Sequence, residues 1–242
     1  MLNRNEVKYI QSLYHKKNRN KEEVFIAEGV KIVPELIAAG FGIQKIYGVK
    51  DWMDANTNIS HVVEVNEDEL RKISNLETPN KVLAVLCKKN IPQEPDLKNK
   101  ISLVLDGIRD PGNLGTIIRI ADWFGIENII ASDDTADLYN PKVIQSTMGS
   151  IARVNIFYTD LKNFFQSNKI VVMGAMLHGE NIASIKEISE CLLVIGNESK
   201  GIGTDIEKYI QESITIPKTG HAESLNAAVA TGIILSWLKL KA

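Results

Sequence analysis

Apolar positions along the chain change period several times, and the changes divide it into elements. Val7, Ile10, Leu13 and Tyr14 recur at helical spacing and predict a first helix over 5–15. Runs at 24–27, 43–49, 61–65 and 82–87 then read as strands, with helical stretches at 30–39 and 67–73 between them. Asn66 followed by Glu69 gives the second of these helices a capping-box start. The alternation stops at 88–100, K-K-N-I-P-Q-E-P-D-L-K-N-K, where two prolines and dense polarity predict a linker. A small α/β domain over 1–90, a linker over 91–100 and a second domain over 101–242 follow from this pattern.

The second domain opens on a continuous β-branched and leucine run at 101–105, the signature of a central parallel strand covered on both faces. Further strands are predicted at 128–131, 154–158, 170–175, 191–195 and 213–216, with helices at 116–124, 141–151, 161–166 and 204–209. The final helix, after Asn226, is apolar on nearly every face, so it is expected to be buried. Alternation of this kind makes an α/β fold with a parallel sheet, whose ligands bind off the carboxyl ends of the strands.

Unusual polar residues gather in three predicted turns at such ends. After Leu105 comes D-G-I-R-D-P-G-N-L-G, carrying Asn113, and Arg119 follows among Ile117, Ile118, Ile120 and Ala121. Taken alone, Arg119 would pair with a nearby acid or extend to water. After Ile195 comes G-N-E-S-K-G-I-G, whose three glycines permit close backbone approach around Glu198 but fit neither the phosphate loop nor the dinucleotide fingerprint. After Ile216 a turn holds Glu223, Ser224 and Asn226; Ser224 and Asn226 are helix-capping types, and residues so placed also bond ligands.

Composition narrows the classes. With 28 basic against 30 acidic residues the net charge is −2, so any nucleic-acid surface must be local. The two cysteines, Cys87 and Cys191, lie in apolar runs that suit buried thiols, which predicts a reducing, cytoplasmic setting. The first ten residues hold no apolar signal core, no run is long enough for a membrane span, and the four histidines lack metal-ligand spacing.

Three stretches together carry a resemblance: D-P-G-N-L-G-T-I-I-R-I-A-D-W-F-G at 110–125, L-V-I-G-N-E-S-K-G-I at 193–202 and I-P-K-T-G-H-A-E-S-L-N-A-A-V-A-T-G-I at 216–233. In that order they resemble the motifs of the SpoU (TrmH-type) RNA ribose 2′-O-methyltransferases of the SPOUT superfamily. The stretch V-F-I-A-E-G-V-K-I-V-P-E-L at 24–36 is similar to the small RNA-binding domain that often precedes them. The resemblance implies a deep trefoil knot in the parallel-sheet domain, S-adenosylmethionine as cofactor and no metal. It also implies a homodimer that completes each site across its interface. Methyl transfer to a ribose 2′-hydroxyl of RNA is the implied reaction; the N-terminal domain favours ribosomal RNA, the alternatives being transfer RNA or a non-catalytic RNA-binding dimer.

By motif position, Asn113, Arg119, Glu198, Ser224 and Asn226 are the implied catalytic residues, and Gly196, Ile216, Leu225 and Ala175 the implied cofactor contacts. Arginine stays protonated, which makes it a poor base, so Arg119 is expected to grip the adjacent phosphate and stabilise the developing alkoxide. Asn113 is expected to place Arg119 or the ribose, and Glu198 to fix the glycine turn or the arginine. RNA contacts are expected at Arg4, Lys16, Lys17, Arg19, Lys21, Arg109 and Lys142.

Overall fold

A computed structural model describes residues 2–240 and divides them into two compact units. The first comprises the residues up to Asn90 together with Asp137–Ala152; the second comprises Ile91–Ala136 and the chain from Arg153 onward.

In the first unit, strands β1 (Val24–Glu28), β2 (Ile43–Gly48), β3 (Val62–Glu64) and β4 (Val82–Cys87) form a sheet in the order β1-β4-β2-β3. β4 runs antiparallel to both its neighbours, and β2 and β3 are parallel. The capping box at Asn66 forms as expected and starts a helix at Glu67–Ile73. Cys87 is exposed, not buried, because it is the last residue of β4, beyond the covered run. Cys191 is buried, and burial pushes its thiol up to about 12.

The expected first helix is two helices, α1 (Arg4–Ser12) and α2 (Lys16–Glu22), so most of the basic run has a helix of its own. Within it Arg19 turns inward and is 2% exposed, which removes it from the expected RNA contacts. Its guanidinium donates to the carbonyls of Leu13 at 3.0 Å and Tyr14 at 2.9 Å, and pairs with Asp137 at 2.6 Å. A charge taken out of water needs such partners. Asp137 opens the stretch 137–152, which packs with the first unit although the sequence reading runs the second domain unbroken from 101. There Tyr139 packs on Phe25 with ring centroids 4.9 Å apart, and the expected 141–151 helix is an α-helix at Pro141–Thr147 followed by a 3-10 turn at Ser150–Ala152.

The second unit holds six parallel strands: β5 (Ile101–Asp106), β6 (Asn128–Ala131), β7 (Asn155–Tyr158), β8 (Val172–Asn181), β9 (Cys191–Gly196) and β10 (Glu212–Thr215). Their order is β10-β8-β9-β5-β6-β7, which puts the two most apolar strands, β5 and β9, at the centre. Val104, Ile130, Leu192 and Val194 pack on one face with Leu161, Phe165, Ile202 and Ile206. β8 runs longer than expected: Gly174 pairs with Ser213, but the next pair is Glu180 with Ile214, so the β8 residues between bulge out at its carboxyl end. Two helices that matter for the site, Pro111–Trp123 (hereafter the β5 helix) and Ala227–Leu240 (the terminal helix), pack against each other. The terminal helix is not covered all round: Val229 is 50% and Ile233 37% exposed, and Trp123 on the β5 helix is 85% exposed.

Asp137→Ala would leave the buried Arg19 guanidinium without its counter-charge. Loss of about 3–5 kcal/mol is expected, read as a lower urea midpoint for the transition that reports the first unit. An unchanged midpoint would mean that the pair contributes nothing to stability.

Candidate functional site

The sequence of each turn explains how it presents its polar residue. Beyond β5, Asp110 caps the β5 helix by accepting from the Asn113 N–H at 2.8 Å, and Pro111 occupies the first turn, where its missing donor costs nothing. Asn113 therefore sits in that first turn with its side chain directed out of the helix toward the neighbouring loops. Beyond β9 the chain folds back at once: Asn197 and Gly201 exchange both backbone hydrogen bonds, at 3.0 and 2.8 Å. A Cβ on Gly196 would lie 2.3 Å from the backbone of Gly201 and Ile202, so this closed turn admits only glycine there. Beyond β10, Asn226 caps the terminal helix through its side-chain oxygen, which accepts from the N–H groups of Ala228 at 2.9 Å and Val229 at 3.3 Å.

These three turns meet. The Asn113 amide nitrogen donates to the Glu198 carboxylate in a short hydrogen bond, and the Asn113 oxygen accepts from the Asn226 amide nitrogen at 2.9 Å. The Asn226 amide therefore makes two kinds of bond: its oxygen holds the helix, as the capping reading expects, and its nitrogen reaches Asn113. Charge-assisted bonds contribute about 1.5–3 kcal/mol and neutral ones about 1, so the Glu198 bond is the stronger of the two. Glu198 accepts from Asn113 and, at 3.4 Å, from Asn197, and its carboxylate is bonded to these amides instead of to the arginine.

Arg119 lies on the β5 helix, exposed, about 9 Å along the axis from Asn113 at the helical rise of 1.5 Å per residue. Among the described residues it has no ion-pair partner, and Ser224 is likewise exposed in the turn before the terminal helix. Of the expected cofactor contacts, Gly196 ends β9, Ile216 follows β10, Ala175 begins the β8 bulge and Leu225, 45% exposed, adjoins Asn226. Gly196 and Ile216 thus stand at carboxyl ends of strands, Ala175 lies within β8 and Leu225 in the turn before the terminal helix. Arg109 is paired with Asp134 at 2.6 Å, and the Ser132 hydroxyl together with Arg109 holds the Asp134 carboxyl below its usual range.

Sequence reasoning missed Asp106, Ser132 and Asn197. Asp106 accepts from the Gly203 N–H at 2.7 Å, Ser132 from the Gly107 N–H at 2.9 Å, and Asn197 donates to the Gly107 carbonyl at 2.8 Å. Their partners are backbone atoms of other loops, which no spacing or periodicity marks; the one available signal was the position of Asp106 and Asn197 at the ends of apolar runs.

Residues 100–236 match the model of the SpoU rRNA Methylase family, and residues 4–84 match an MRM3-like substrate binding domain. The 23S rRNA (guanosine(2553)-2′-O)-methyltransferase RlmP of Bacillus subtilis is 31% identical, over 97% of this chain and 96% of its own. The 23S rRNA (guanosine-2′-O-)-methyltransferase RlmB of Pectobacterium atrosepticum is 28% identical, over 88% and 87%. Among solved structures, the rRNA methyltransferase of Sinorhizobium meliloti with AdoMet bound superposes with a TM-score of 0.87 at 30% identity, covering 100% of this chain and 96% of that one.

Gly196→Ala forces a methyl group into backbone and is expected to cost about 1–3 kcal/mol, as other overpacked sites do. Urea denaturation of the variant measures this; an unchanged midpoint would show that the turn opens at no cost.

Proposed function

The chain belongs to the SpoU rRNA methylase family, and from that premise we propose that it transfers a methyl group from S-adenosylmethionine to a ribose 2′-hydroxyl of ribosomal RNA. The observation that carries this reading is the bonding of Asn113 to both Glu198 and Asn226, which draws the turns after β5, β9 and β10 into one site.

The residues present suit the cofactor. A turn that closes on Gly196 backbone offers peptide groups, and Ile216, Leu225 and Ala175 small apolar surface, for an adenine and its ribose. When bound, S-adenosylmethionine supplies the methyl group on a sulfonium that becomes a neutral thioether as the carbon–sulfur bond breaks and the carbon–oxygen bond forms. The chain's own contribution is alignment and charge. Ser224 and Asn226 orient the target nucleotide so that its 2′-oxygen stands in line with the methyl carbon. Arg119 grips the adjacent phosphate with its guanidinium fork and stabilises negative charge as it develops on that oxygen. The hydroxyl proton leaves to the phosphate or to water, since a guanidinium has no free lone pair to take it.

Arg4, Lys16, Lys17 and Lys21, all exposed on the first unit, and the exposed Lys142 supply phosphate contacts. Arg109, already neutralised by Asp134, contributes less. The active form is a homodimer in which the surplus apolar surface of Trp123, Val229 and Ile233 is covered by a second copy. The chain passes from the edge strand β7 to β8, then to the central β9 and out to the opposite edge at β10; the family premise, and not this order, is the ground for proposing a knotted threading of the second unit. The cytoplasm is the compartment we assign, on the two reduced thiols and the RNA substrate.

Labelled methyl transfer to ribosomal RNA stripped of its modifications tests the roles. Arg119→Ala is expected to lower kcat by about 100-fold or more, the loss seen when a transition-state donor is removed, with cofactor affinity kept. Arg119→Lys, a point charge without the fork, should recover little of it. A lysine variant that retained most of the rate and its RNA affinity would contradict the bidentate role.

A further inference from the structure

One peptide in the turn after β5 is held from both sides. Gly107 has φ +70°, a left-handed conformation that glycine adopts without strain. Its N–H donates to Ser132 Oγ, just past the end of β6, at 2.9 Å, and its carbonyl accepts from Asn197 Nδ2, just past the end of β9, at 2.8 Å. β6 and β9 are the two strands that flank β5, so each neighbour sends one side chain to the same peptide.

Both side chains are themselves fixed. Ser132 Oγ donates to Asp134 Oδ1 at 2.7 Å and lies 3.0 Å from Thr135 Oγ1. Asn197 Oδ1 accepts from the N–H groups of Ser199 at 3.0 Å and Lys200 at 3.2 Å, which orients the amide and leaves its nitrogen facing Gly107. The position requires an acceptor for the turn after β9 and a donor for the turn after β5 on one short side chain, and an amide provides both. On one side of this clamp the chain runs from Gly107 into the helix that carries Asn113 and Arg119. On the other, the residue after Asn197 is Glu198, the partner of Asn113.

We propose that Asn197 is a positioning residue for methyl transfer: by fixing Gly107 it sets where the β5 helix starts, and by fixing its own turn it sets Glu198 against Asn113. The kinetic part of this inference rests on the methyltransferase reading; the clamp itself does not.

Asn197→Asp removes the donor of this side chain and keeps its acceptor. A carboxylate of the same size still accepts from Ser199 and Lys200, but it cannot donate to Gly107, whose carbonyl it repels, and it replaces the 3.4 Å donation from Asn197 Nδ2 to Glu198 Oε2 by repulsion of that carboxylate, so both arms of the positioning are disturbed together. The folded variant is expected to bind S-adenosylmethionine within about threefold of the parent by calorimetry, while kcat on stripped ribosomal RNA falls by at least about tenfold, the scale of rate loss from misplaced reacting groups. Amide hydrogen exchange in 107–113 should quicken at the same time. A purely structural role would lower the melting temperature and leave kcat of the folded protein unchanged. The proposal is overturned if kcat stays within about twofold and exchange in 107–113 does not change. Should Asn197→Asp fail to fold, Ser132→Ala releases the same peptide from the other side and faces the same criteria. If the parent protein transfers no methyl group to RNA, the methyltransferase reading fails, and the exchange measurement still decides whether the clamp exists.

Discussion

The hydrogen bond from Asn113 to Glu198 is the constraint on which the second unit's site depends. It joins residues 85 apart in sequence, and Asn226, 113 residues beyond Asn113, joins the same amide. Each bond demands that a different strand end at the right height, so the all-parallel sheet with its carboxyl ends on one edge is the prerequisite. Central β5 and β9 meet that demand with apolar residues buried along nearly their whole length. A sheet can hold three loops together in this way only if it does not slip in register, and the pairing of β5 with β9, from Ile101 with Cys191 to Asp106 with Gly196, is unbroken.

Around that constraint the remaining polar groups divide between those bonded to backbone and those left exposed. Asn197, Ser132 and Asp106 bond to backbone and set loop positions, while Arg119, inside the β5 helix, and Ser224, in the turn before the terminal helix, are exposed. The cations follow the same division: Arg19 and Arg109 have carboxylate partners, whereas Arg119 has none among the described residues. For a protein of net charge −2, in which bulk attraction for RNA is weak, a few cations kept free at chosen places do more than an overall basic field.

Much of this was legible in the sequence, for identifiable reasons. Strands β5 and β9 are short apolar runs, the first ending at Asp106 and Gly107 and the second at Gly196 and Asn197; polar residues in the turns after strands draw notice to Asn113, Glu198 and Asn226, and the family resemblance is what implies a shared site for them. Arg19 misled because a basic run looks solvated, and its counter-charge, Asp137, lies 118 residues away where no local pattern reaches. For the same reason no local pattern marks that the stretch 137–152 packs with the first unit, through Tyr139 against Phe25 and that ion pair. Backbone-directed bonds such as Asn197 to Gly107 leave no mark on composition at all.

The central claim is that the site methylates a ribose oxygen, and the position of the transferred methyl group tests it most directly. Ribosomal RNA labelled by the purified protein from radioactive S-adenosylmethionine would be hydrolysed in alkali, which cleaves beside every free 2′-hydroxyl. The account predicts that the label survives in a dinucleotide, because a methylated 2′-oxygen cannot attack the neighbouring phosphate. Label released as a single methylated nucleotide would place the methyl group on a base and contradict the account.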